Sequence, residues 1–271
     1  DDATTPPRLQ RLSMAGIDPN RKGPSRPADV EPHVRDALSR GEIPTVNLAE
    51  SLAIEYHTLL FHAAPTIGEP AIERLRDAAG EGVTKRVKIA AELLLTRFGP
   101  GGIDTIAGHT SDTVRGWAAM MVGTVPDLPL AQQLDRIRPF ADDPHYGVRE
   151  WAWMAVRPGI VESPLEAIGL LTPWVTHHQP NVRRFAVEST RPRGVWCAHI
   201  AELKSDPSPG LPLLEPLRND GEKYVQDAVA NWLNDAGKTN AKWVLNLTDR
   251  WLAESDTKAT RRIVTRARRN L

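Results

Sequence analysis

The stretch "HYGVREWAWMAVRP", His145 to Pro158, holds two Trp, two Arg, a Glu and a His within fourteen positions. A fully buried helix would reject Arg149, Glu150 and Arg157, and a fully solvated one would reject Trp151 and Trp153. Helical spacing separates the two demands. Val148, Trp151, Ala152 and Ala155 fall at i, i+3, i+4 and i+7 and predict a buried stripe. Glu150, Trp153 and Arg157 fall at i, i+3 and i+7 on another face of the same helix.

The pattern recurs outward from this segment. "VKIAA" begins at Val87, "VRGWAAM" at Val114, "VRRFAVE" at Val182 and "VQDAVAN" at Val225, with a degenerate "TRRIVTR" at Thr260. The second position of each unit is Lys88, Arg115, Arg149, Arg183, Gln226 and Arg261, at spacings of roughly 30 to 40 residues. Polar turns such as "HTSD", "DDPH", "HQPN" and "NDGE" stand before several units. A turn followed by an amphipathic helix, repeated at this period, predicts stacked helix pairs, because one pair cannot bury its apolar face alone. No convincing alternating strand appears. The expected fold is all-α, a HEAT-like helical-repeat solenoid with a concave basic face. Its second-position cations would line that face, unless they are ordinary solvated or ion-paired residues. Trp117 and Phe185 share the register of Trp151 and are expected in the core.

Upstream, residues 1–30 are rich in Pro, Gly and charge and predict a flexible or loosely docked N-terminal arm. The solenoid is expected to occupy 31–271. Gly41 reads as a helix stop, and Asn47 as the N-cap of a helix in "NLAESLAIEYHTLLFHAAP".

The totals narrow the possibilities. The chain has 271 residues, 41% hydrophobic and 25% charged, with a formal net charge of +0. No whole-molecule field would draw it to a polyanion, so any basic surface must arise by local segregation. Cys197 is the single cysteine, which excludes an intrachain disulfide and a cysteine zinc site. No signal-peptide or membrane-length apolar run is seen. A cytoplasmic protein with no membrane partner is expected. There is no Gly-rich phosphate loop, no H-E-x-x-H and no nucleophile elbow.

One reaction class needs few parts. Alkylation at N3 or N7 makes a purine a cationic leaving group. A carboxylate can then stabilise the oxocarbenium-like sugar and orient water, an aromatic face can attract the cationic base, and basic side chains can hold phosphates. Arg184, Arg191, Arg193 and Lys223 thicken the basic content around the ladder. Trp196, in the Pro-rich turn "RPRGVW", lies off any regular helix face. Asp227, Asn231 and Asn234 share one face of "YVQDAVANWLND", suited either to a sugar-phosphate backbone or to plain solvation.

Together "NLAESLAIEYHTLL", "HYGVREWAWMAVRP", "VRRFAVESTRPRGVW" and "YVQDAVANWLND" resemble the bacterial DNA-alkylation-repair glycosylases of the AlkC/AlkD superfamily, the AlkC branch in particular. The resemblance implies a HEAT-like solenoid that cradles double-stranded DNA carrying alkylated bases, acts as a monomer, and hydrolyses the N-glycosidic bond of cationic alkylpurines without metal or cofactor. It also implies little insertion of the base into a deep pocket. Some relatives carry a C-terminal immunoglobulin-like domain, which is not expected here. Carried onto this sequence, it makes Glu150 the first catalytic carboxylate and Asp112 the second, with Trp153 beside them. Asp112 has an alternative role as the N-cap of the helix near Thr113. Glu188 is a third acid, expected to orient Arg191 or Arg193. The DNA-binding set is Arg115, Arg149, Arg157, Arg183, Arg184, Arg191, Arg193, Trp196, Lys223, Asn231 and Asn234. Two other functions remain open: a non-catalytic DNA-binding solenoid, and a protein-interaction scaffold.

Overall fold

In a computed structural model, which describes residues 16–271, every regular element among those residues is a helix. The α-helices are α1 (Pro32–Ser39), α2 (Leu48–Ala53), α3 (Tyr56–Ala63), α4 (Glu69–Asp77), α5 (Val83–Phe98), α6 (Ile103–Ala107), α7 (Asp112–Thr124), α8 (Leu130–Ala141), α9 (Tyr146–Glu162), α10 (Pro164–Leu171), α11 (Pro180–Glu188), α12 (Ala201–Ser205), α13 (Leu211–Leu214), α14 (Lys223–Glu254) and α15 (Lys258–Ala267). The long α14 is broken by non-helical dihedrals at Asn240. Two compact units result. Among the described residues, one holds 16–86 with His109–Val114, and the other holds Val87–Gly108 and Arg115–Leu271.

The first unit shows how local chemistry sets its short helices. Gly41 follows α1 at φ +74°, the left-handed conformation of a helix stop. Asn47 caps α2 by accepting the Glu50 N–H at 3.0 Å. The apolar run from Leu48 is not one helix: Ile54 turns extended between α2 and α3, and the freed Glu55 N–H donates to the Ser39 hydroxyl at 3.1 Å. Of the expected arm, residues 1–15 lie outside the described residues. Residues 16–30 are docked. Ile17 and Val30 are buried, and Arg21 forks onto Glu50 with bonds of 2.9 and 2.6 Å.

The repeat register holds throughout. Val87, Val114, Val148, Val182, Val225 and Thr260, the first residues of the six units, are all buried. So are the residues four positions on: Ala91, Ala118, Ala152, Ala186, Val229 and Val264. In the second unit, α9 packs against α8, α10 and α11, α11 against α14, and α14 against α15.

The turns share one chemistry. Six residues before Arg115, Arg149, Arg183 and Gln226 stand His109, Asp143, His177 and Asp220. Each accepts the backbone N–H two residues on: Ser111 at 3.0 Å, His145 at 2.7 Å, Gln179 at 3.1 Å and Glu222 at 2.8 Å. The second-position side chains then close the turns. Arg149 donates to the Asp143 carbonyl (2.6 Å), Arg183 to that of His177 (2.8 Å) and Gln226 to that of Asp220 (2.7 Å). A glutamine suffices at the fourth site because the bond needs a donor, not a charge.

Two cations of the expected basic ladder are ion-paired. Arg115 forks onto Asp143 (2.8 and 3.0 Å) and Arg183 onto Asp220 (2.7 and 3.1 Å), each reaching the turn of the following repeat. These cations tie repeats together, and their charge is matched where it sits. Arg149 differs because the next repeat offers His177, not an aspartate. Its guanidinium lies instead 5.2 Å from the Tyr224 ring centroid.

Candidate active site

The acidic and aromatic residues of the opening segment meet α11 and α14 in the second unit. Glu150, on α9, has a side chain 39% exposed. Its Oε2 accepts the Trp153 indole N–H at 2.8 Å, and its Oε1 accepts from Arg184 Nη2 on α11 at 2.6 Å. The i, i+3 pairing of Glu150 with Trp153 was legible. The exposure of the two tryptophans was not. Trp153 is only 4% exposed, whereas Trp151, expected in the core, is half-buried against Gly116 of α7. A helix within a stack is covered on more than one side, so a second stripe is buried as well. Trp153 therefore presents its N–H to the carboxylate rather than its face to a base.

Beneath Glu150 runs a buried chain of charge. Arg184 also lies 3.7 Å from Glu188. Glu188 accepts from Arg191 at 2.8 Å, the partner expected for it, and Arg191 donates to Asp235 of α14 at 2.9 Å. Burial pushes the Arg184 guanidinium down, but Glu150 and Glu188 together outweigh it and the net direction is up. Arg191 moves up for the same reason, through Glu188 and Asp235. Neither arginine loses its proton at any relevant pH. Tyr224, which the sequence reading passed over, stacks under both Arg184 (4.4 Å) and Arg149 (5.2 Å). Its signal was an aromatic residue one place before the register valine of α14.

Other expected site residues are spent on structure. Arg157 is buried, not outward-facing. It donates to the carbonyls of Ser189 (2.6 Å), Arg191 (2.7 Å) and Ala198 (2.9 and 3.1 Å), and burial lowers its pKa. Asn234 is buried and donates to the Ala267 carbonyl at 2.9 Å. Asn231 accepts from Arg269 at 3.0 Å, and Asp227 pairs with Arg262 and Arg266. The polar face of α14 thus receives α15, whose arginines complement it, instead of solvent. Asp112 lies in the first unit. It is buried, and accepts the Thr45 N–H at 2.8 Å and hydroxyl at 2.9 Å. It stands inside α7 as the first residue, not outside it as the cap.

The expected residues with part of their surface open include Glu150 and Arg149, the exposed Lys223, the half-buried Arg193, and Trp196 at 70% exposure, with Tyr224 added beside Arg149. Among the described residues no group of three or more His, Cys, Asp or Glu is placed to hold a metal ion. No helix among them is long and apolar enough to cross a membrane.

Among the described residues, packed helical repeats with a part-exposed carboxylate fixed by two donors define an all-helical repeat protein. Residues 147–271 match the family model described as DNA alkylation repair enzyme. The Bacillus subtilis protein YhaZ, itself uncharacterized, is 36% identical over 148 residues, 54% of this chain and 41% of its own length. The structure of Pseudomonas fluorescens alkylpurine DNA glycosylase AlkC, bound to DNA containing an abasic site analog, superposes with TM-score 0.62 at 19% identity, over 87% of this chain and 64% of that one. That of smu.31 from Streptococcus mutans superposes with TM-score 0.59 at 18% identity, over 76% and 100%. The chain thus spans less than two thirds of both YhaZ and AlkC. Residues 147–271, a little under half of the chain, carry the sequence pattern of that DNA alkylation repair family, and the two superpositions show the shared helical-repeat fold.

Proposed function

We propose that this protein is a DNA glycosylase that hydrolyses the N-glycosidic bond of cationic N3- or N7-alkylated purines in duplex DNA, as a monomer in the bacterial cytoplasm and as the first step of base excision repair. The observation that carries this is the Glu150 carboxylate, part-exposed and fixed on both oxygens. An alkylated purine leaves with the electron pair of its C1′–N bond and so becomes neutral, which makes a general acid unnecessary. Positive charge develops on the sugar. A preorganised carboxylate stabilises that charge, aligns a water for attack at C1′, and accepts the water's proton. Trp153 and Arg184 fix its rotamer, so no reorientation is needed during reaction. Arg149 and Lys223 supply cations for the phosphates on either side.

The test is mass-spectrometric identification of bases released from methylated duplex DNA. Wild type should release 3-methyladenine or 7-methylguanine. Glu150→Gln should reduce release by roughly 10²- to 10³-fold, the scale of losing one preorganised electrostatic group, with duplex affinity changed little. No release of any alkylpurine by wild type sinks the enzymatic claim.

One observation favours a second reading. Arg184 sits 2.6 Å from Glu150 and offsets its charge. A non-catalytic DNA-binding protein would show that pairing too, and would bind duplex in a salt-dependent way without releasing base.

A further inference from the structure

The segment Arg191–Ile200 has no role in the chemistry above, yet it is held at several points. Four hydrogen bonds from the buried Arg157 guanidinium grip its base, at the carbonyls of Ser189, Arg191 and Ala198. The Ile200 N–H closes it onto the Pro192 carbonyl at 3.1 Å. Gly194 is required, since a Cβ there would meet the Cys197 Sγ at 2.5 Å. So anchored, the loop carries Val195 and Trp196 outward, at 56% and 70% exposure. Trp196 is also left-handed, at φ +60°. A bulky residue held in that region is strained, and persists only where its surroundings impose it. Val195 and Trp196 are adjacent, so the tip presents a small contiguous apolar patch, and such a patch rimmed by polar residues marks an interaction site.

The surroundings say what. No acid occurs from Ser189 to Ala201, while Arg191, Arg193, His199 and Lys204 lie in or beside the loop. Arg193 Nε is buried without a hydrogen-bond partner. The His199 imidazole is held below its ordinary pKa, first by partial desolvation and then by the cations Lys204, Arg193 and Arg157. Arg191 is matched by Glu188 and Asp235, so the cations beside the tip that no carboxylate pairs among the described residues are Arg193 and Lys204. An aromatic plate among cations fits the π-face of a nucleobase flanked by phosphates.

We infer that Val195–Trp196 is a preformed wedge whose indole stacks on a base face exposed where the duplex stack is interrupted. This rests on the DNA-directed reading above and adds a mode of engagement that Glu150 does not need. Such a wedge would hold open the strand at a lesion, or fill the space left when a base has gone.

The experiment compares fluorescence anisotropy on two labelled duplexes, one intact and one with a single tetrahydrofuran abasic site. Trp196→Gly removes the ring and tolerates the positive φ, so the loop keeps its path. Trp196→Phe keeps a smaller stacking face. Wild type should prefer the abasic duplex. Trp196→Gly should weaken that complex by roughly 5- to 100-fold, the range for losing one base–aromatic stack, and change the intact duplex by less than about 2-fold. Trp196→Phe should recover most of the loss. Equal loss on both duplexes, or no loss on either, overturns the wedge, as does a wild type that binds neither. In the last case Trp196 would be a protein-docking residue. The two proposals fail separately: intact lesion-specific binding without base release sinks the glycosylase and leaves the wedge, while release by a Trp196→Gly protein with unchanged affinity does the reverse.

Discussion

Glu150 and Arg157 stand seven positions apart on one face of α9, and their fates show what a residue's surroundings decide. Glu150 is bonded on both oxygens but keeps more than a third of its side chain open. Arg157, two turns on, is buried with its donors aimed at three carbonyls. The planar fork of a guanidinium suits that task; a lysine ammonium has no such geometry. Arg157→Lys should therefore leave carbonyls of the Arg191–Ile200 loop without donors. About 2–4 kcal/mol of stability should be lost, since each unsatisfied buried group costs about 1–3 kcal/mol and the lysine recovers one bond. Urea denaturation followed by circular dichroism measures this. A companion proteolysis time course should show cleavage appearing within 191–200. A variant as stable as wild type would mean that water or another donor replaces the guanidinium.

At the scale of the helix, α7 and α9 approach so closely that glycines on α7 decide the fit. A Cβ at Gly123 would lie 2.0 Å from the Ala155 carbonyl oxygen, and backbone cannot yield as a side chain does. One at Gly116 would meet Trp151 Cδ1 at 2.6 Å, and that ring can pivot. Gly123→Ala should lower stability by roughly 2–4 kcal/mol. Gly116→Ala should fall within about 1 kcal/mol of wild type, because helix propensity gained by alanine offsets the displaced indole. Equal midpoints in denaturant would show that the helices are less tightly apposed. These helices were legible in sequence because a β-branched residue and an Ala or Val four places on recur at helical spacing and are buried in every unit. The tryptophan assignment was not legible. Periodicity finds the stripe that faces a helix's own partner, but a stacked helix is covered by the next repeat too, and nothing within the period marks which stripe that is. The polar face of α14 misled for the same reason: Asp227, Asn231 and Asn234 meet the arginine-rich α15 that follows them in the chain.

Over the whole molecule the central issue is where the charge goes. A formal net charge of +0 sat uneasily with a basic ladder, and the resolution lies in the turns. Asp143 and Asp220 occupy equivalent places six residues before their own repeats' second positions, and each receives an arginine from the repeat before. Sequence spacing exposes both sets of residues, but pairing an arginine with an acid 28 or 37 positions on requires knowing the stacking distance between repeats. The consequence for DNA is quantitative. Each phosphate neutralised by a free cation contributes about −0.9 to the slope of log affinity against log salt. Arg115 and Arg183, already matched by largely buried carboxylates, should contribute almost nothing. Arg115→Gln and Arg183→Gln should therefore leave the slope unchanged between about 50 and 200 mM salt. Each should instead lower stability by about 3–5 kcal/mol, because the abandoned aspartate stays largely buried. Arg149, whose following turn offers His177 in place of an acid, and the exposed Lys223 should behave oppositely. Arg149→Gln and Lys223→Gln should each flatten the slope by about 1 and leave stability near wild type. Were Arg115→Gln to flatten the slope as much as Arg149→Gln, the ion pairs would have to open on DNA, and the ladder would be a binding face after all rather than the tie between repeats.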